Sequence, residues 1–118
     1  MELSDLFVGE SLLTPKMLES LKSFRMVSSG QIRLREAAAS RSGKSVTIGS
    51  YYRTVKQGRK NIRASLVTLM IALWEGLIKP EEVRRLFDLA GKPLGELSES
   101  DLQRVGEALD ALLEKIIL

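Results

Sequence analysis

Apolar residues recur in this chain at intervals of three and four almost from end to end, and that spacing restricts what it can fold into. Met17, Leu18, Leu21 and Phe24 keep the interval, as do Val83, Leu86, Phe87 and Ala90. Near the C-terminus Leu102, Val105, Leu109, Leu112 and Ile116 repeat at 3, 4, 3, 4. Only Ser45 to Ile48 reads as a short β-branched run, and it has no partner strand. The expected fold class is therefore all-α, a compact domain of about five to six helices with no β-hairpin wing.

Local signals divide the pattern. Thr14 before Pro15 has the form of an N-cap followed by a proline at the first helical position, and Ser28, Ser29 and Gly30 close that helix. A second helix is expected over Gln31 to Arg41, with Ala37, Ala38 and Ala39 allowing a close neighbour. Ser42 to Ser45 then form a turn. From Thr47 a short helix is expected to Gln57, with a break near Gly58 and a long helix from Arg59 or Lys60 to Leu77, because each interior glycine costs about 1 kcal/mol relative to alanine. The alternative is one long helix through Gly58, with Ile48, Tyr52, Val55, Ile62, Leu66, Leu69, Leu73 and Leu77 on an approximate 4-3 spacing. Leu66 to Trp74 is apolar almost all round, as suits a helix enclosed by others or by a second subunit. Pro80 to Ala90 is the next helix; Gly91, Pro93 and Gly95 interrupt; Ser98 and Asp101 resemble a capping pair for the last.

With 118 residues the expectation is one domain, 1–118, in which 28–60 is a basic segment and 60–118 supplies core and dimerisation helices. The chain has no cysteine and no histidine, which removes disulfides, thiolate nucleophiles, imidazole bases and nearly all zinc or transition-metal sites. No cofactor, metal or catalytic role is expected. The start, MELSDLFVGESLL, lacks the basic region of a secretory signal, and the apolar run Ala64 to Trp74 is shorter than the roughly 18 to 20 residues of a membrane span. A cytoplasmic, nucleoid-associated location is the expectation.

Charge is distributed unevenly. Nine of the eighteen basic residues lie between Arg33 and Arg63 (Arg33, Arg35, Arg41, Lys44, Arg53, Lys56, Arg59, Lys60, Arg63), with Glu36 the single acid among them. That stretch carries +8; the remainder, with nine bases and fourteen acids, carries −5. A concentrated cationic segment in an otherwise acidic chain is what a polyanion binder needs, because each neutralised phosphate releases condensed counterions. A solvated helix face would interleave Glu with Lys and Arg to gain i,i+4 pairs, and this segment hardly does.

A helix with small alanines, a turn, and a second helix rich in Ser, Thr, Tyr, Arg, Lys and Gln is the layout of a helix-turn-helix. In REAAASRSGKSVTIGSYYRTV the chain resembles helix-turn-helix DNA-binding proteins of the small bacterial and archaeal transcription-regulator type, over about a quarter of its length. The turn, Ser42 to Ser45, is longer than the common three residues, and Gly49 sits where a better helix former is usual. The resemblance implies that the helix from Thr47 lies in the major groove of duplex DNA. With Ile48, Tyr52 and Val55 inward, Thr47, Ser50, Tyr51, Arg53, Thr54 and Gln57 would face the bases, Arg53 suited to guanine and Gln57 to adenine. Arg41, Lys44, Ser45, Lys56, Arg59 and Lys60 would hold phosphates, within the basic segment that Arg33, Arg35 and Arg63 complete. At least one of Tyr51 and Tyr52 is expected in the core. Leu102, Val105, Leu109, Leu112 and Ile116 are the expected dimer contact, the other use of that stripe being packing within its own domain.

Ser42-Gly43-Lys44-Ser45 is not a P-loop, which needs a glycine where Ala38 stands and a preceding strand. Two other functions fit the same charge pattern. One is a binder of nucleic acid without sequence preference, duplex, single-stranded or RNA, in which the tyrosines stack on bases. The other is a helical adaptor whose basic face meets an acidic protein.

Overall fold

The structure is a computed structural model that describes residues 3–40 and 46–116. Among these residues all regular structure is helical: α1 Leu3–Glu10, α2 Pro15–Ser28, α3 Leu34–Ala39, α4 Ile48–Trp74, α5 Pro80–Ala90 and α6 Glu99–Glu114, with one 3-10 turn at Leu94–Glu96. Their contacts gather into two compact units. The first is Val8–Leu66; the second is formed from Val67 onward together with the chain up to Phe7. No helix among the described residues is long and apolar enough to cross a membrane.

Most ends follow from side-chain chemistry. Thr14 Oγ1 accepts the Met17 N–H at 3.2 Å and Pro15 occupies the first turn of α2, where its missing N–H costs nothing. Gly30, at φ 80°, carries the chain out of α2 while the Gln31 N–H bonds the Met26 carbonyl at 2.9 Å. That bond holds Gln31 outside any helix, so α3 starts at Leu34 and is shorter than the expected Gln31 to Arg41. At the end of α4, Gly76 at φ 72° donates to the Leu73 carbonyl and Leu77 to that of Ala72, the paired bonds of a Schellman motif. Pro80 opens α5, with Glu81 and Glu82 in its first turn. Ser98 and Asp101 form a full capping box on α6, both bonds 3.0 Å. The Ser98 backbone N–H, and then its hydroxyl, hold the Asp101 carboxyl below the usual carboxylate range.

The break expected near Gly58 does not occur: α4 runs unbroken for 27 residues. Gly58 is buried, and a Cβ there would stand 2.8 Å from Leu21 Cδ1 and 3.2 Å from its Cγ. The glycine serves a close approach of α2 to α4, so its propensity cost is offset by packing between helices.

Each unit has its own core. In the first, Ala37 and Ala38 of α3 and Tyr51 and Val55 of α4 are buried, with Leu21, Phe24, Val27, Ile32, Leu34 and Val46 packed around them. The alanines leave room for the Tyr51 ring, as their small size suggests. Asn61 ties the preceding loop down, its Nδ2 donating to the Leu12 carbonyl at 2.7 Å. In the second unit Ile78, Val83 and Leu112 are buried together, with Leu69, Ala72, Leu73 and Ile116 against them, and Lys115 pairs with Glu82 at 3.1 Å. Gly106 of α6 lies 3.6 Å, measured from an ideal Cβ, from the Phe7 ring of α1. Of the expected α5 stripe, Val83 is buried and Leu86 and Ala90 are half-buried, whereas Phe87 is exposed.

Candidate nucleic-acid interface

The unit Val8–Leu66 holds twelve Lys and Arg against three acids, Glu10, Glu19 and Glu36, a net of +9. The remaining residues hold six bases and twelve acids, a net of −6. Charge is thus segregated by structural unit more sharply than along the sequence.

Helix α4 sets where the positive charge faces. Its inward side is Tyr51, Val55 and Gly58, spaced 4 and 3, and all three are buried. At about 100° per residue, Arg53, Lys56, Lys60 and Arg63 then occupy an arc of about 80° on the opposite side, and Arg59 extends it to about 120° along the flank next to Val55. All five are exposed. From Arg53 to Arg63 the stripe is about 15 Å long at 1.5 Å per residue. Thr47 caps the helix, accepting the Ser50 N–H at 3.1 Å, which satisfies one of its first-turn amides.

This register corrects the one read from sequence: Val55 is inward in both, but the inward face turns by about 60° toward Tyr51 and Gly58. Tyr51, expected to face a ligand, is fully buried; its hydroxyl donates to the Ser20 carbonyl at 3.0 Å and is hydrogen-bonded with the Ser23 hydroxyl, so it belongs to the core. Tyr52 and Ile48, expected inward, are exposed. The core does take one of the two tyrosines. Tyr52 carries Lys56 Nζ 4.9 Å from its ring centroid and packs edge-on against Phe24, centroids 5.8 Å apart. It orients one member of the stripe.

Among the other expected contacts, Arg33, Arg35, Thr47 and Gln57 are exposed, and Ser50 and Thr54 are half-buried. Arg33 is the residue that precedes α3 in extended conformation. Arg41, Lys44 and Ser45, with the turn Ser42 to Ser45, lie outside the described residues. Lys16, which the sequence pattern did not single out, joins Thr14, Met17, Arg53, Thr54 and Gln57 around a groove between α2 and α4. Its signal was its place in the first turn after Thr14-Pro15, next to whichever helix α2 packs on. Lys22 and Arg25, with Met26, Ser29 and Gln31, line a second hollow of the same unit.

The C-terminal stripe is used differently. Leu102 and Leu112 are buried, Ile116 packs on the Ile78, Val83 and Leu112 core, and Val105 and Leu109 are half-buried. Leu102, Leu112 and Ile116 thus take part in the packing of their own unit. Among the described residues no group of three or more His, Cys, Asp or Glu is placed to hold a metal ion.

No family model, curated protein or solved structure matches this chain.

Proposed function

We propose that this protein binds nucleic acid through the outward stripe of α4, with duplex DNA as the ligand, and that it acts as a homodimeric transcriptional regulator at the nucleoid. The observation that carries the reading is the stripe itself: four exposed cations on the face opposite the buried Tyr51, Val55 and Gly58, with Arg59 exposed on its flank. Arg53 and Gln57, beside Lys16 in the groove between α2 and α4, are the candidates for base and backbone contacts. Arg33, Arg35 and the stripe lysines supply the sequence-independent part. No catalytic role is assigned to any residue.

Tyr52 favours duplex over single strands. A ring used to stack on unpaired bases needs a bare face. This one has an ammonium over its face and a phenyl ring at 61° beside it. Its chemistry is to hold Lys56 in place, as a phosphate contact needs.

The test is fluorescence anisotropy of duplex and single-stranded DNA at several salt concentrations, with the wild type and Arg53→Ala combined with Lys56→Ala. If each stripe cation holds one phosphate, log K falls against log salt with a slope of about −4.5, roughly 500-fold between 50 and 200 mM. The double variant should bring the slope to about −2.7. A random-sequence competitor then separates specific from general binding. Absence of binding at low salt overturns the reading and leaves an acidic protein as the partner of this face.

A further inference from the structure

The C-terminal part of α4 has two apolar faces, and its own unit uses one. Leu69, Ala72 and Leu73 pack against Ile78, Val83 and Leu112. On the opposite side Val67, Met70, Ile71 and Trp74 are 39, 44, 48 and 72% exposed. At 100° per residue these four share an arc of about 100°, so they form one continuous patch. No charged residue occurs anywhere from Ala64 to Trp74, where a helix face kept in water would carry Lys or Glu.

We propose that this patch is the contact with a second copy of the chain, the two α4 segments packing antiparallel about a two-fold axis that passes between Met70 and Ile71. The inference rests on the preceding reading only for the idea of two copies. Its observation is separate, and its test contains no nucleic acid, so DNA binding by the stripe and this contact fail independently.

Three features select a second copy as the occupant. First, a two-fold contact must be self-complementary. An axis between positions 70 and 71 sets Val67 against Trp74 and brings the two copies of Met70 together on one side of it and those of Ile71 on the other. The smallest of the four side chains meets the largest, and the flexible thioethers meet each other. Second, a like-charge clash across the axis is the usual obstacle to self-pairing of a helix, and this segment has no charge to clash. Third, the area suits the apolar centre of such an interface. The four side chains offer on the order of 400 Å², about half of the roughly 800 Å² that a standard interface takes from each partner. They would form its apolar centre, the neighbouring residues of the unit its rim. A patch of this extent is comparable to the largest apolar patch of a typical monomer, which is often functional.

Trp74 is the only tryptophan and the chain has no cysteine, so both probes are clean. The experiment measures the molar mass of the full chain by light scattering and sedimentation over a broad dilution series, with Trp74 emission recorded at each point. The expected result is twice the mass of one chain, with blue-shifted emission that moves to the red as dilution splits the dimer. Ile71→Glu, which sets two carboxylates against the apolar centre, should give the mass of one chain and red emission throughout, with unchanged far-UV circular dichroism. Met70→Cys should form an interchain disulfide on mild oxidation. A wild type with the mass of one chain at the highest concentration overturns the proposal. Blue emission that ignores dilution would then mean that another part of the same chain covers Trp74, and red emission that the face is bare. A dimer that survives Ile71→Glu also overturns it. Should that variant unfold, Met70→Cys decides: no cross-link at concentrations where the wild type is dimeric refutes the proposed axis.

Discussion

Gly58→Ala sets two well-known effects against each other. Inside a helix the substitution should stabilise by about 1 kcal/mol, since glycine loses more backbone freedom than alanine. At this position the new Cβ would stand 2.8 Å from Leu21 Cδ1 and 3.2 Å from Cγ, closer than the 3.5 to 4.0 Å of carbon contacts. A methyl end can rotate away, but Cγ moves only with the rest of the side chain. Leu21 in turn packs against the cluster of Ala37, Ala38, Tyr51 and Val55, which leaves it little room. Overpacking of this kind costs about 1 to 3 kcal/mol, so the net effect should be a loss of about 1 kcal/mol. In a Leu21→Ala background the obstacle is gone and Gly58→Ala should stabilise by up to about 1 kcal/mol, a coupling of about 2 kcal/mol between the sites. Leu21→Ala alone should cost about 2 kcal/mol, the low end for a leucine that is only half-buried. Urea denaturation followed by circular dichroism at 222 nm reads all four proteins, a 1 kcal/mol change moving the midpoint by about 0.5 M. A higher midpoint for Gly58→Ala in the wild-type background, or the same sign in both backgrounds, would refute the account of why α4 continues through a glycine.

Tyr51→Phe removes the donor to the Ser20 carbonyl and should cost about 1 to 2 kcal/mol in urea denaturation while leaving any DNA affinity unchanged, because the side chain never reaches the surface. Ser98→Ala removes the cap of α6 and should cost about 1 kcal/mol at neutral pH. Since the Asp101 carboxyl is held below its ordinary range, its contribution is fully present above the unfolded-state value of about 3.9 and is lost as pH falls through the lower folded value. The stability gap between the wild type and Asp101→Ala should therefore close on acidification, which denaturation series at neutral and strongly acidic pH will read. Lys16→Ala should weaken duplex binding and flatten its salt slope by about 0.9, the value of one phosphate contact; an unchanged slope would remove Lys16 from the interface.

The parts of the fold that were legible beforehand are those fixed by neighbours in sequence. Thr14-Pro15 and Ser98 with Asp101 mark the starts of α2 and α6 by capping, and Pro80 marks that of α5 by its place in the first turn, all signals that act within one turn. What was not legible depends on residues far along the chain. Gly58 reads as a break until Leu21, thirty-seven positions earlier, is seen lying against it. The start of α3 misled for a more local reason: Ile32, Leu34 and the alanines after Gln31 suggest one helix face, but the Gln31 N–H is already committed to the Met26 carbonyl.

The candidate site turned on the adjacent pair Tyr51 and Tyr52, which sequence alone could not separate. Either can face the core, and the two choices turn the inward face of α4 by about 60°. The spacing of Ile48, Tyr52 and Val55 suggested one answer, and the spacing of Tyr51, Val55 and Gly58 gives the other. Glycine decides between them physically: a buried residue without a side chain marks the line where another helix comes closest, and the inward face must include it. Once Gly58 is placed inward, Tyr51 follows at seven residues, two turns earlier, and its hydroxyl needs a buried acceptor, which the Ser20 carbonyl provides. The positions half a turn away are then those that water must cover, and they are Arg53, Lys56, Lys60 and Arg63. The cationic stripe and the tyrosine core are therefore one assignment, and neither can be moved without moving the other.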